Sequence, residues 1–289
     1  GGTNFVFSAI QANKEIVEPF RLPACGDQFE KSLQNIIDGF THIKNQLSKE
    51  PVAISFCFPG PADYPGGIIG ELINLPAYHN VPLGPMLEHV FDIPVFINND
   101  GDLFAYGEAL AGYLPYLNSY LEKSGGNKRY KNLVGLTLGT GFGGGLVTNK
   151  ELFLGDNSAG LEVCNIRSRL FPDFSAEEGI SIRAVKRLYA QLAGIDFEQS
   201  PEPFDIYKIG CNEMVGNKDA ALESWHVFGV NLGDALATLL TLVDGIAVVG
   251  GGVAGSDPSN HCGPGQSIAS TLIAARCGKP NQRRLTIQH

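Results

Sequence analysis

The sequence predicts an α/β protein in two domains. Short apolar, β-leaning runs alternate with segments of helical periodicity, the pattern of sheets covered by helices on both sides. The chain has 289 residues, and about one domain per 150 residues is the usual division. Three glycine clusters each adjoin a strand-like run, at residues 1–2, 135–145 and 250–252. In α/β sheets ligands gather at the carboxyl ends of strands.

Taken in order, "FVFSAI" reads as a strand. The segment "QFEKSLQNIIDGFTHIKNQL" is a helix, with Phe29, Leu33, Ile36, Ile37, Phe40, Ile43 and Leu47 at helical spacing. "VAISFCFPGP" is a buried strand ending in a Pro-Gly-Pro turn, and "VPLGPMLEHVF" is a short helix entered through Pro85. "PVFINND" is a strand ending in polar residues, followed by one helix over "GDLFAYGEALAGYL". The polar "GGNKRYKN" reads as a loop between the two halves. Beyond the central glycines come helices over "SIRAVKRLYAQLA" and "AALESWHVFGVNLGDALATLLTLV", then the strand of "GIAVVGGG". No repeat of short period is present.

The central cluster lies in "VGLTLGTGFGGGLVTNKELFLG", Val134 to Gly155, with six glycines from Gly135 to Gly145. Strand-like flanks make it a hairpin whose turn, Gly139 to Gly143, is mostly backbone. Exposed N–H groups and the Thr140 hydroxyl suit an oxyanion such as phosphate; a plain glycine-rich turn is the other reading. Gly-Gly followed by Thr3 at the start, and Gly250-Gly251-Gly252 after Ile246–Val249, repeat the theme. Three such turns are what a nucleotide held between two halves of a protein requires.

Composition narrows the function. The chain is 44% hydrophobic and 18% charged, with a formal net charge of −9. An acidic chain without a Lys/Arg cluster argues against nucleic-acid and anionic-membrane partners. No apolar run reaches the length of a membrane span, and no signal peptide is evident. The six cysteines, at positions 25, 57, 164, 211, 262 and 277, form no C-x-x-C pair. That argues against a disulfide framework or a cysteine-rich zinc site and suits reduced thiols in the cytoplasm. The chain opens inside a motif without an initiator Met, so residues upstream of Gly1 are expected. The Gly/Pro/Asn-rich stretch after Ser256, where a helix is expected, suggests missing internal residues.

Several carboxylates have two readings. Asn99-Asp100 stands between a strand and a helix, where Asp100 could serve as a general base or the pair could cap the helix. Glu162 could accept from sugar hydroxyls or lie exposed. Glu177 and Glu178 precede a helix, and Ser175 to Glu178 has the spacing of a capping box.

The ordered set "GGTN", "FPGPADYPGGIIGELINLP", "VFINNDGDLFAYGE", "LTLGTGFGGGLVTNKELFLGDNSAGLE" and "VDGIAVVGGGV" resembles the ROK family, which comprises repressors, open reading frames and sugar kinases. The resemblance runs from residue 1 to about residue 254 and is most specific at the hairpin and at Asn99-Asp100. It implies a two-domain actin-like ATPase or hexokinase (ribonuclease H-like) fold with its active site in the interdomain cleft. The expected domains are residues 1–115, with the first phosphate turn and the catalytic Asp, and residues 116–289, with the phosphate hairpin and the adenosine turn.

By position, the resemblance assigns Gly2 and Thr3 to the first phosphate turn, Gly139, Thr140 and Gly141 to the second, and Gly250, Gly251 and Gly252 to the adenosine. Asp100 is implied as the base that deprotonates the sugar hydroxyl. Asn99, Glu162 and Glu177 are implied as sugar contacts, Asn165 stands where the family has a sugar-binding His, and Gly66 and Asn74 fall in the loop that faces the sugar. The family's E-x-G-H is normally followed by C-x-C-G-x-x-G-C; here "EVCN" replaces the first and no cysteine cluster follows, so no structural zinc is expected. The implied activity is ATP-dependent phosphorylation of a hexose or N-acylated amino sugar with Mg²⁺, in a cytoplasmic homodimer. A sugar-sensing regulator and a catalytically weak sugar-binding homologue are the alternatives.

Overall fold

The computed structural model describes residues 4–72 and 75–253. The chain divides into two compact units. The first is Gly1–Leu103 with Phe153–Gly160, and the second is Phe104–Leu152 with Leu161–His289.

In the first unit, β1 (Asn4–Phe7) pairs antiparallel with β4 (Phe20–Pro23), from Asn4 opposite Pro23 to Phe7 opposite Phe20. The two-residue strands β2 (Ile10–Gln11) and β3 (Lys14–Glu15) form the ribbon between them. The predicted strand "FVFSAI" is therefore interrupted after Phe7. Helix α1 (Phe29–Lys44) turns Ile36 and Ile43 inward, as its periodicity requires. Strands β5 (Ile54–Cys57) and β8 (Val95–Asn98) are parallel, with Cys57 opposite Asn98. A short hairpin, β6 (Ala62–Asp63) and β7 (Ile68–Ile69), leads towards α2 (Leu83–Phe91). Helix α2 starts from Pro82, so Pro85 sits in its first turn, where a missing N–H costs nothing. Ile36, Phe58, Ile69, Tyr78, Leu83, Leu87 and Ile97 form the core of this unit.

Helix α3 (Asp100–Leu110) ends sooner than the sequence suggests, and a separate helix α4 (Tyr113–Lys123) follows. Gly112 occupies the cap of α4, and Pro115 falls in its first turn, the one helical stretch that tolerates proline. The expected single helix over residues 101–114 is thus two.

The second unit is built on a four-stranded sheet in the order β11-β10-β9-β12. Its members are β9 (Asn132–Leu138), β10 (Phe142–Thr148), β11 (Glu151–Leu152) and β12 (Ile246–Gly250). The predicted hairpin is β9 and β10, with Leu138 opposite Phe142 and Asn132 opposite Thr148. Strand β12 lies parallel to β9, with Val249 opposite Leu136. Alternation along β9 sends Val134, Leu136 and Leu138 to one core and Leu133 to another. The first core is completed by α5 (Ile182–Ala193), α6 (Pro203–Gly210) and α7 (Lys218–Val243). The second holds Ala105, Ala109, Leu114 and Val147.

Ser181 caps α5 by accepting the Ala184 N–H at 3.3 Å, and Asn217 caps α7 by accepting the Ala220 N–H at 3.0 Å. By length and composition α7 could cross a membrane; within this unit it turns Trp225, Phe228, Leu232 and Leu239 into the core.

Candidate active site

In the first unit, β8 delivers a polar run at its carboxyl end. Asn98 closes the strand, and its Oδ1 accepts the Asn99 N–H at 3.0 Å. Asn99 then begins α3. Its side-chain Oδ1 accepts from Gly101 N at 2.7 Å, and its carbonyl accepts from Leu103 N at 3.0 Å. The helix-capping role open to this pair therefore falls to Asn99. Asp100, one residue on, is exposed, and its Oδ1 accepts the same Gly101 N–H at 2.9 Å. Cys57, which the sequence reading passed over, lies on the neighbouring strand. Its thiol is pushed above the ordinary range by desolvation first and by the Asp100 carboxylate second.

Gly66 is exposed in the turn between β6 and β7, where its N–H donates to Asp63 Oδ1 at 3.1 Å. Asn74, Gly2 and Thr3 lie outside the described residues.

The second unit brings several of its candidates together. At the hairpin tip, the Gly139 N–H donates to the Gly141 carbonyl at 3.0 Å. Thr140 is exposed, and the N–H groups of Thr140 and Gly141 have no backbone acceptor among the described residues. Two neighbouring free donors beside a hydroxyl are suited to a phosphate oxygen. Glu177 lies against this turn: its Oε2 accepts the Phe142 N–H at 3.1 Å.

Glu162 precedes and Asn165 closes a short 3-10 turn, Val163–Asn165, and both are exposed. Cys164 between them donates to Glu162 Oε2 at 3.5 Å. Burial, then the Glu162 carboxylate, then Glu177 push this thiol up to about 11. It is therefore a neutral donor at physiological pH, which orients Glu162. Nothing in the sequence pattern marked Cys164, because the pairing depends on the local turn.

The capping box expected from Ser175 to Glu178 is not formed. Ser175 makes no side-chain cap bond. Glu178 instead accepts from Arg187 at 2.7 Å and from Arg183. Arg187 foremost, with Arg183, holds its carboxyl below the usual range.

At the end of β12, Gly251 has φ of 92°. A Cβ there would stand 2.5 Å from the Leu138 carbonyl oxygen, so only glycine lets the turn run so close to β9. Gly250 ends the strand and Gly252 is exposed.

A neutral Cys164 implies a simple chemical test. At pH 8, about one Cys164 in a thousand is a thiolate, the reactive form. Peptide mass spectrometry after iodoacetamide treatment should find the exposed Cys211 labelled well before Cys164. The gap should narrow as pH rises towards 11. Preferential labelling of Cys164 at pH 8 would contradict the Glu162 pairing.

A family model described as the ROK family matches residues 1–163. The chain belongs to the ROK family. A crystal structure of a glucokinase from Parabacteroides distasonis is 50% identical to it, with a TM-score of 0.82, covering 96% of this chain and 76% of that one. The N-acetyl-D-glucosamine kinase of Vibrio atlanticus is 28% identical over 96% of this chain and 91% of its own length. A ROK glucokinase from Streptomyces griseus, crystallised with glucose and AMPPNP, shares the fold at 18% identity, with a TM-score of 0.64 over 88% of this chain and 81% of that one. The fold is thus that of the ROK sugar kinases, of the actin-like ATPase and hexokinase type.

Proposed function

We propose that this ROK protein is an ATP-dependent sugar kinase that phosphorylates a hydroxyl of a hexose, with glucose as its preferred acceptor. The observation that carries this reading is the 50% identity with a named glucokinase across 96% of the chain.

The roles proposed here rest on the family resemblance, and the local geometry supports them. Asp100 is the general base, its carboxylate at a strand's carboxyl end and at the start of α3. Asn99 anchors that helix start and contacts the sugar. Glu162, Asn165 and Glu177 also serve the sugar, and Cys164 orients Glu162. Thr140 and the free N–H groups at the hairpin tip receive a nucleotide phosphate, and Gly250, Gly251 and Gly252 border the adenosine. Phosphoryl transfer asks the protein mainly for positioning and charge neutralisation. When bound, Mg²⁺ supplies neutralisation on the phosphate oxygens. It is usually held by one or two carboxylates with the substrate's phosphates rather than by a protein cage. A homodimer in the cytoplasm completes the proposal.

The test is ADP release with ATP and a panel of glucose, mannose, N-acetylglucosamine and N-acetylmannosamine. Glucose should give the highest kcat/KM. An N-acylated amino sugar in first place would overturn the glucose assignment, and no turnover with any sugar would overturn the kinase reading.

A further inference from the structure

Glu177 is expected at the sugar, yet its carboxylate lies on the phosphate hairpin. Oε2 accepts the Phe142 N–H at 3.1 Å across 35 positions of chain. A Cβ on Gly141 would come within 2.7 Å of the same oxygen, so the carboxylate packs directly on the turn. The segment that carries Glu177 grips the hairpin a second time: Ile182 N–H donates to the Gly139 carbonyl at 2.9 Å. The turn is therefore pinned on both sides of Thr140 and Gly141, whose own N–H groups have no backbone acceptor among the described residues.

We propose that Glu177 is a positioning residue for the phosphate turn, a strut that holds Phe142 N–H and so aims the Thr140 and Gly141 donors at a nucleotide phosphate. This rests on the kinase reading above.

Two effects compete. A carboxylate near a phosphate repels it, whereas a fixed turn presents its donors without having to be ordered on binding. Arg183 Nη2, shared with Glu178 and 3.8 Å from Glu177 Oε1, offsets part of the charge. A charge-assisted bond to backbone N–H is among the stronger hydrogen bonds. Ordering therefore outweighs repulsion, and loss of the strut weakens nucleotide binding. Glu177 also acts on the Cys164 thiol, which binds Glu162, so the strut belongs to the same group of residues as the sugar-side carboxylate.

The test is calorimetric titration with Mg²⁺-AMPPNP in the absence of sugar, with amide exchange of Phe142 followed in parallel. Glu177→Ala should bind about tenfold more weakly, the scale of one lost charge-assisted hydrogen bond, and exchange Phe142 N–H faster. Glu177→Gln keeps an acceptor oxygen and should stay within about twofold of wild type. Unchanged nucleotide affinity in Glu177→Ala, with glucose binding alone weakened, would overturn the strut and leave Glu177 only the sugar contact proposed above. So would a Gln variant that binds nucleotide tighter than wild type, since charge would then outweigh ordering. A wild-type chain that takes up no nucleotide would overturn both the strut and the kinase reading.

Discussion

Asp100→Asn is expected to lower kcat by about 10²–10⁴-fold, the usual contribution of a general base, with the fold intact and glucose affinity little changed. The substitution is nearly isosteric, and an amide Oδ1 can still accept the Gly101 N–H that Asp100 holds at 2.9 Å. It does not disturb the helix start, because the cap of α3 is the Asn99 side chain, 2.7 Å from Gly101 N. On the role proposed for Asp100, the variant loses the ability to take a proton from the attacking hydroxyl. Asn99→Ala separates the two roles from the other side, costing about 1 kcal/mol of stability through the lost cap. Steady-state kinetics and thermal melts of both variants are the check. Near-normal turnover in Asp100→Asn would remove the base from the account.

Gly251→Ala is expected to damage stability and nucleotide binding together. With φ of 92°, an L side chain costs roughly 1–2 kcal/mol. Its Cβ would also meet the Leu138 oxygen at 2.5 Å and nitrogen at 2.6 Å. These are backbone atoms of the central strand, which cannot swing aside as a flexible side chain would. Overpacking of this kind adds about 1–3 kcal/mol. The melting temperature should fall by roughly 5–15 °C, and Mg²⁺-AMPPNP affinity should drop because this turn is the one assigned to the adenosine. Gly252→Ala is the control for stability alone: a Cβ there meets nothing within 4 Å among the described residues. Equal stability of the two variants would show that the close approach to β9 does not constrain the turn.

The parts of the fold legible in the sequence are those set by local pattern. The β9–β10 hairpin is written in strand-like flanks around a glycine turn, and α7 and β12 in long apolar periodicity. Legibility fails where one or two residues override that pattern. Gly112 and Pro115 divide what periodicity reads as one helix, because proline is acceptable in the first turn of α4. Ser175 and Glu178 have capping-box spacing, but Arg183 and Arg187 compete for the Glu178 carboxylate and win it. In the site, the role of Asn99 as a cap could be anticipated from its place between a strand and a helix. The attachment of Glu177 to Phe142 could not, because it joins residues 35 apart through the packing of a short turn. The bond from Cys164 to Glu162 is close in sequence, but it depends on the 3-10 geometry of Val163–Asn165, which no periodicity announces.

In the proposed reaction this chain moves the γ-phosphoryl group of ATP to a sugar hydroxyl. A single-turnover reaction with γ-labelled ATP, Mg²⁺ and glucose, with products separated by chromatography, decides whether it does. Label is expected in a sugar phosphate, with one ADP formed per labelled sugar and with its rate of appearance collapsing in Asp100→Asn. Label left in ATP, or released only as inorganic phosphate in amounts independent of glucose, would contradict it.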